Sequence, residues 1–324
     1  MRRFAKPSVT VSKCLGFAHC RYNGLVIQDD FVDRLRDHVE FRPVCPEMEI
    51  GLGVPRDPVR LVLQRNILRL IQPATQADVT ERMNGFSQSH LDPLRDVDGF
   101  ILKNRSPSCG IKDVKIYPGL GKAAHVSRGA GLFGGAVLKR FPFLAVEDEG
   151  RLNNSRIREH FLTKLFAIAS FRKTKAANSM RELVRFHSEN KLLLMAYNQK
   201  ELRLLGRIAA NREKRPLDEV LDDYGRHLFS ALSRAPSYVS NLNVLMHAMG
   251  YFKKGLSPKE KAFFLDLMQK YRAGRVPLSV NIQLVNSWIA RFQENYLMQQ
   301  TYFKPYPEEL MGIAEAEKER DLEA

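Results

Sequence analysis

The sequence predicts an α/β N-terminal domain, a small parallel sheet with helices, followed by an all-α helical-bundle domain. Three observations carry this. Over residues 1–150, short β-rich runs alternate with helical stretches, the pattern of a parallel sheet. From Ser155 onward the apolar spacing is helical nearly throughout. Between the two, Glu147 to Asn154 (EDEGRLNN) is polar, contains glycine and reads as a linker. The expected division is 1–150, 151–312 and a tail, 313–324, that is acidic, aromatic-free and expected to be disordered.

Taken in order, Val9 to Ser12 reads as a strand running into Cys14, and Val59 to Leu63 as a second strand. Ala77 to Ser89 reads as a helix with Val79, Met83 and Phe86 on one face. Gly99 to Lys103 reads as a strand leading to Ser106-Pro107-Ser108-Cys109-Gly110. Ligands of parallel sheets collect beyond the carboxyl ends of the strands, where both cysteine-bearing loops fall. Gly129 to Gly135 (GAGLFGG) is too irregular for a phosphate loop and is expected to be a turn and helix entry. In the second half, Leu183, Phe186, Leu193, Leu194 and Tyr197 share the face of one expected helix. Ser257-Pro258-Lys259-Glu260 is a capping box opening a helix through Tyr271, with Gly274 closing it. A last helix is expected from Val280 to Gln299. His187 and His247 are expected to be buried, hydrogen-bonded histidines of the bundle rather than ligands.

The formal charge is +15, and it is uneven: 27 Lys/Arg stand against 14 Asp/Glu in residues 151–312, but 22 against 17 in residues 1–150. Such an excess in one half suits a polyanion, because clustered cations release the counterions of phosphates. The candidate phosphate contacts are Arg172, Lys173 and Lys175, then Arg207, Arg212, Lys214 and Arg215, and Lys253 with Lys254. Solvated helix surface is the competing reading for any one cluster. Nothing after Met1-Arg2-Arg3 resembles a secretory signal, and the longest apolar run, Leu192 to Tyr197, is far too short to span a bilayer. A cytoplasmic location without membrane contact is expected.

The four cysteines, at 14, 20, 45 and 109, all fall in the first third. Three segments frame them: Ser12-Lys13-Cys14-Leu15-Gly16 with Cys20-Arg21-Tyr22-Asn23-Gly24; Pro43-Val44-Cys45-Pro46-Glu47 with Gly51 to Arg56; and Ile101 to Gly110. The intervals match no zinc ribbon, which expects CxxC pairs. Thiolates on separate Gly/Pro loops can converge on a soft metal centre, although buried apolar cysteines would also account for them.

These segments resemble the thiouracil desulfurase family, whose pattern runs S-x-C-L-G, R-Y-[DN]-G, C-P-E, P-R and I-L-K-x-x-S-P-S-C-G. From about Arg156 to Leu310 the chain resembles a YbgA-type helical domain, through Leu183 to His187, Lys191 to Met195, Met246 to Lys254 and Gln300 to Pro307. The two in this order are similar to the tRNA 4-thiouridine desulfidase group. The resemblance implies a 4Fe–4S cluster on Cys14, Cys45 and Cys109 with one iron open to the substrate sulfur, and a helical domain that grips tRNA. It also implies conversion of 4-thiouridine to uridine by non-redox hydrolytic removal of sulfur as hydrosulfide. Glu47 is then the expected base, with Ser106 as hydrogen-bond relay and Ser108 as a backbone cap. Lys103, Arg56 and Tyr22 are candidate substrate contacts, though the first two could be structural ion-pair partners. Cys20, at a position where the family pattern demands no cysteine, is expected to be a small buried apolar residue; as a fourth ligand it would close the open iron. The competing functions are a desulfurase of free thiopyrimidine bases or nucleosides, a sulfurtransferase acting in the reverse direction, and a non-enzymatic iron–sulfur RNA-binding or redox-sensing protein.

Overall fold

The computed structural model describes residues 3–121 and 124–311, so the tail at 313–324 lies outside the described residues. Two compact units are present, residues 3–169 with 309–311, and Ser170–Glu308.

The first unit holds nine strands: β1 (Ser8–Ser12), β2 (Glu40–Val44), β3 (Arg60–Gln64), β4 (Ile67–Gln72), β5 (Ala77–Asp78), β6 (Gly99–Leu102), β7 (Val114–Tyr117), β8 (Ser127–Gly129) and β9 (Ala145–Asp148). Four form a parallel sheet in the order β2-β1-β6-β9. Every residue of the two central strands, β1 and β6, is buried, which is why they read as short runs with little polar alternation. Gly99 belongs there because a Cβ would lie 2.6 Å from the Ala145 carbonyl oxygen of the neighbouring strand.

A second sheet, β5-β4-β3-β7-β8, was not legible in the sequence. The strand expected at Val59 to Leu63 is β3 of this sheet, not of the parallel one. It returns antiparallel as β4 through Arg65 and Asn66, at φ 49° and 65°. Two left-handed residues make the tight hairpin whose twist matches the strands, and an Arg-Asn pair is a weak signal for it.

Helices α1 (Asp30–Leu35), α2 (Pro46–Glu49), α3 (Thr80–Leu91), α4 (Leu132–Arg140), α5 (Glu149–Leu152) and α6 (Ser155–Ala176) follow in chain order. The helix expected from Ala77 begins only at Thr80, because Ala77 and Asp78 pair with β4. The glycine-rich run enters α4 as expected, with Gly131 at its N-cap. The stretch read as a linker is instead structured. Glu147 and Asp148 pair with Ile101 and Leu102 in the sheet, and the Asp148 carboxylate caps α5 through the Arg151 N–H at 2.8 Å. Its polarity reflects a strand end and a helix cap.

The remaining helices are α7 (Met180–Glu189), α8 (Lys191–Tyr197), α9 (Gln199–Ala210), α10 (Leu217–Ala231), α11 (Tyr238–Tyr251), α12 (Pro258–Arg272), α13 (Leu278–Phe292) and α14 (Asn295–Met298). Two expected helices are broken. Asn190 separates α7 from α8, its side-chain amide donating to the Phe186 carbonyl at 2.8 Å. Gln293, at φ 50°, separates α13 from α14. The capping box stands, with Ser257 N–H donating to Glu260 at 2.7 Å, and Gly274 follows α12 at φ +70°. Val244, Leu245, Ala248, Phe264 and Trp288 build one core cluster of this unit. His187 is hydrogen-bonded to the Tyr224 hydroxyl at 3.1 Å as expected, but is half-buried rather than buried. His247 is not buried: the buried residues of α11 are Asn241, Val244, Leu245 and Ala248, and His247 is exposed. No helix among the described residues is long and apolar enough to cross a membrane.

Candidate active site

Three loops leave the carboxyl edge of the parallel sheet, and each carries cysteine. Cys14 follows β1 by two residues, Cys45 follows β2 directly, and Cys109 lies in the loop after β6. Parallel neighbours present their carboxyl ends on the same side, so topology alone gathers sites far apart in the chain. Cys20, Cys45 and Cys109 are buried, and Cys14 is half-buried.

Cys20 is not merely a small buried residue. Its thiol is in hydrogen-bond contact with Cys14 and with Cys45, and its carbonyl accepts from the Cys45 thiol at 3.8 Å. The contact with Cys14, together with burial, pushes Cys20 up to about 11 against the opposing influence of Cys45. Its contact with Cys20, then burial, pushes the Cys45 thiol up. Burial pushes Cys109 up, with added repulsion from Cys45 and Glu47. Cys20, Cys45 and Cys109 are therefore not set up as free thiolate nucleophiles.

Among the described residues no group of three or more His, Cys, Asp or Glu side chains is arranged to hold a single metal ion. A cluster makes a different demand, because each thiolate binds a different iron and the sulfurs stand farther apart than around one ion. The donor set, soft sulfur on three tight loops, fits such a cluster.

Glu47 sits in the first turn of α2, two residues beyond Cys45. One carboxylate oxygen accepts from Arg56 Nη2 at 2.6 Å and Nε at 2.8 Å, and the other accepts from the Ser108 hydroxyl at 2.9 Å. Arg56 also donates to the carbonyls of Cys20 (3.0 Å) and Gly53 (2.9 Å). Its side chain is only 5% exposed and that of Glu47 13%. Arg56 therefore locks the two loops that carry Cys20 and Glu47.

The two serines exchange the contacts expected of them. Ser106 Oγ accepts the N–H groups of Ser108 (3.3 Å) and Cys109 (3.1 Å), and so caps the loop. Ser108, fully buried, makes the contact with Glu47. Spacing to a cysteine does not reveal which hydroxyl turns inward; the loop's fold decides it. Ser12, which sequence reasoning passed over, contacts the Cys109 thiol and accepts the Lys103 N–H at 2.8 Å.

The glycine-rich run does more than enter a helix. The N-terminal turn of α4 lies flush on the Cys109 loop, with Gly131 N–H donating to the Gly110 carbonyl at 2.7 Å and Gly134 N–H to the Ser108 carbonyl at 2.9 Å. A Cβ at Gly131 would come within 2.5 Å of the Ser108 carbonyl oxygen, and one at Gly134 within 2.4 Å of that of Gly110. Only glycine permits that approach.

Lys103 pairs with Glu149 and Asn104, and the Asn104 N–H donates to Glu149 at 2.8 Å, so its ammonium ties the end of β6 to α5. The ion-pair reading of Lys103 thus describes its contacts. Tyr22 is exposed, with the Arg21 guanidinium over its ring at 5.5 Å, and its carbonyl accepts the Arg56 N–H.

In the second unit the basic candidates divide. Lys175 pairs with Asp222, and Arg215 pairs with Asp223 at 2.9 Å and Glu219 at 3.8 Å. Arg172 is half-buried in α6. Lys173, Arg207, Arg212, Lys214, Lys253 and Lys254 are exposed and form no ion pair among the described residues.

Residues 9–149 match the model of the 2-thiouracil desulfurase family, and residues 191–307 match a family described as a protein of unknown function, DUF1722. The uncharacterized protein YbgA of Escherichia coli (strain K12) is 28% identical over 158 residues, covering 48% of this chain and 94% of that protein. The uncharacterized protein YbbK of Bacillus subtilis (strain 168) is 32% identical over 109 residues, 32% of this chain and 72% of that protein. Among solved structures, a 4Fe–4S-dependent thiouracil desulfidase, TudS, is 28% identical, covering 45% of this chain and 93% of its own at a TM-score of 0.36.

Proposed function

We infer that this chain, which belongs to the 2-thiouracil desulfurase family through residues 9–149 and carries a DUF1722 region at 191–307, is a thiopyrimidine desulfidase acting on 4-thiouridine in tRNA. The observation that carries the reading is the Ser108–Glu47 hydrogen bond of 2.9 Å, set beside thiols gathered at one edge of the sheet. It supports this reading because a carboxylate and a hydroxyl in contact beside the cysteine loops are the groups a hydrolytic step needs. A 4Fe–4S cluster on Cys14, Cys45 and Cys109, with one iron open, would supply a soft Lewis acid for the thiocarbonyl sulfur.

The residues then have distinct tasks. Arg56 fixes the Glu47 carboxylate in place. Glu47, with the Ser108 hydroxyl at its oxygen, takes a proton from the attacking water as oxygen adds to the ring carbon. The same pair returns the proton to the ring nitrogen or the departing sulfur. One water is consumed, C=S becomes C=O, and sulfur leaves as hydrosulfide. No electrons change hands.

The tRNA substrate is supported by the charge of residues 151–312, 27 Lys/Arg against 14 Asp/Glu, and by exposed cations without ion pairs among the described residues. The test is anaerobic reconstitution and incubation with thiolated tRNA, read by mass spectrometry of the released nucleosides with a sulfide assay. Uridine and sulfide in equal amounts are expected. Cys14→Ala, Cys45→Ala and Cys109→Ala should each lose the iron, whereas Cys20→Ala should keep it. Unchanged 4-thiouridine with a loaded cluster would refute the reading.

A further inference from the structure

The segment Met246 to Lys254 has no part in the chemistry above, yet it holds an arrangement unusual for a bundle surface. Tyr251 ends α11 with 49% of its surface exposed. Its ring is stacked on that of Tyr296, with centroids 5.4 Å apart and planes within 15°. Both rings are anchored. Phe252, next in the chain, is buried edge-on against Trp288 at 5.8 Å, and Leu297, beside Tyr296, is fully buried. Lys253 and Lys254 follow at once, exposed and without an ion pair among the described residues. Residues 224–259 contain no Asp or Glu. Glu294, the N-cap of α14, is engaged in accepting the Tyr296 N–H at 3.3 Å.

We propose that Tyr251, backed by Tyr296 and flanked by Lys253 and Lys254, is a stacking platform for an unpaired nucleobase of an RNA strand. The proposal rests on the RNA-substrate reading and gives it a site. An aromatic ring already fixed by a second ring loses little rotamer freedom when a base settles on its open face. Every base offers a π-face, so the contact tolerates sequence, while adjacent ammonium groups meet the phosphates on either side. A surface meant for an apolar protein partner would gain nothing from two lysines and a carboxylate-free stretch. A paired base has both faces covered, so the platform selects single-stranded or looped segments.

The test uses the full chain and anisotropy of a labelled single-stranded oligouridylate and a duplex RNA of equal length. Tyr251→Ala should weaken single-strand binding about 5- to 100-fold, the loss of one stacked base, and leave the duplex nearly unaffected. Lys253→Glu with Lys254→Glu should weaken both and lower the salt slope by about 2. Tyr251→Trp should keep single-strand affinity, and oligouridylate should quench the new exposed emission, a readout that does not depend on Tyr251→Ala folding. Equal single-strand affinity for parent and Tyr251→Ala, or unquenched emission in Tyr251→Trp, overturns the platform and leaves the RNA reading standing. A parent chain that binds neither RNA overturns both.

Discussion

Ser108 Oγ donates to Glu47 Oε1 at 2.9 Å, joining the loop after β6 to the short helix after β2 across 61 residues of sequence. The same carboxylate is held from the other side by Arg56, which reaches on to the Cys20 and Gly53 carbonyls. Carboxylate, hydroxyl and the Cys20 and Gly53 backbone are thereby tied into one network rather than held by separate loops.

The serines should separate cleanly. Ser108→Ala removes the hydroxyl at Glu47, so turnover should fall about 10²- to 10⁴-fold with iron content retained. Ser106→Ala strips the acceptor from two loop N–H groups, costing about 1–3 kcal/mol of stability with a smaller effect on turnover per loaded site. Iron analysis, steady-state kinetics and denaturant melts on both variants make the comparison. The reverse pattern would return the relay to Ser106.

Arg56→Met should destabilise by about 3–5 kcal/mol, because it leaves a largely buried carboxylate and two carbonyls without their donor. Anaerobic denaturant unfolding measures it. Glu47→Gln, which keeps an acceptor for Ser108, should cost less stability but lose turnover. An Arg56→Met variant as stable as the parent would show that the pair contributes nothing net.

The basic residues of α9 and the turn after it should not behave alike. Arg207→Glu with Arg212→Glu and Lys214→Glu should lower tRNA affinity and flatten its salt dependence by a slope of about 3, leaving the melt unchanged. Arg215→Ala should instead lower stability, since Arg215 holds Asp223 and Glu219. Binding isotherms over a salt series, beside thermal melts, distinguish the two. An unaltered slope in the triple variant would make those cations ordinary surface.

Stability should depend on pH through His160, which burial, aided by nearby Lys164, holds down at about 4 from an ordinary 6.5. Between those values the unfolded chain binds the proton and the folded one does not. Stability is therefore full above about 6.5 and is lost as pH falls toward 4, by up to roughly 3 kcal/mol. Lys164, lowered by burial to about 8 from 10.5, has the same sign in its own window, so stability rises with pH between those values. Denaturant midpoints from pH 4 to 9, compared with His160→Gln, test the acid limb. A slope that survives in His160→Gln would assign it to other groups.

Some of this was written in the chain. The strands Ser8–Ser12 and Gly99–Leu102 showed as short β-rich runs because central parallel strands are buried on both faces. The capping box at Ser257 was legible because its contacts are local. The three cysteine loops were recognisable because each motif carries its own glycine and proline punctuation. Tertiary structure decided the rest, wherever partners are distant in sequence. Local spacing made Ser106 the relay, yet packing on Gly131 and Gly134 shapes the loop so that Ser108 meets Glu47. Cys20 looked incidental until the sheet's topology set it against Cys14 and Cys45. Composition counted Arg215 and Lys175 with the free cations, but helix packing gives them Asp223 and Asp222. Hydrophobic periodicity and caps are local and survive in one dimension. The identity of the group facing a carboxylate is a long-range contact, and only the closed fold assigns it.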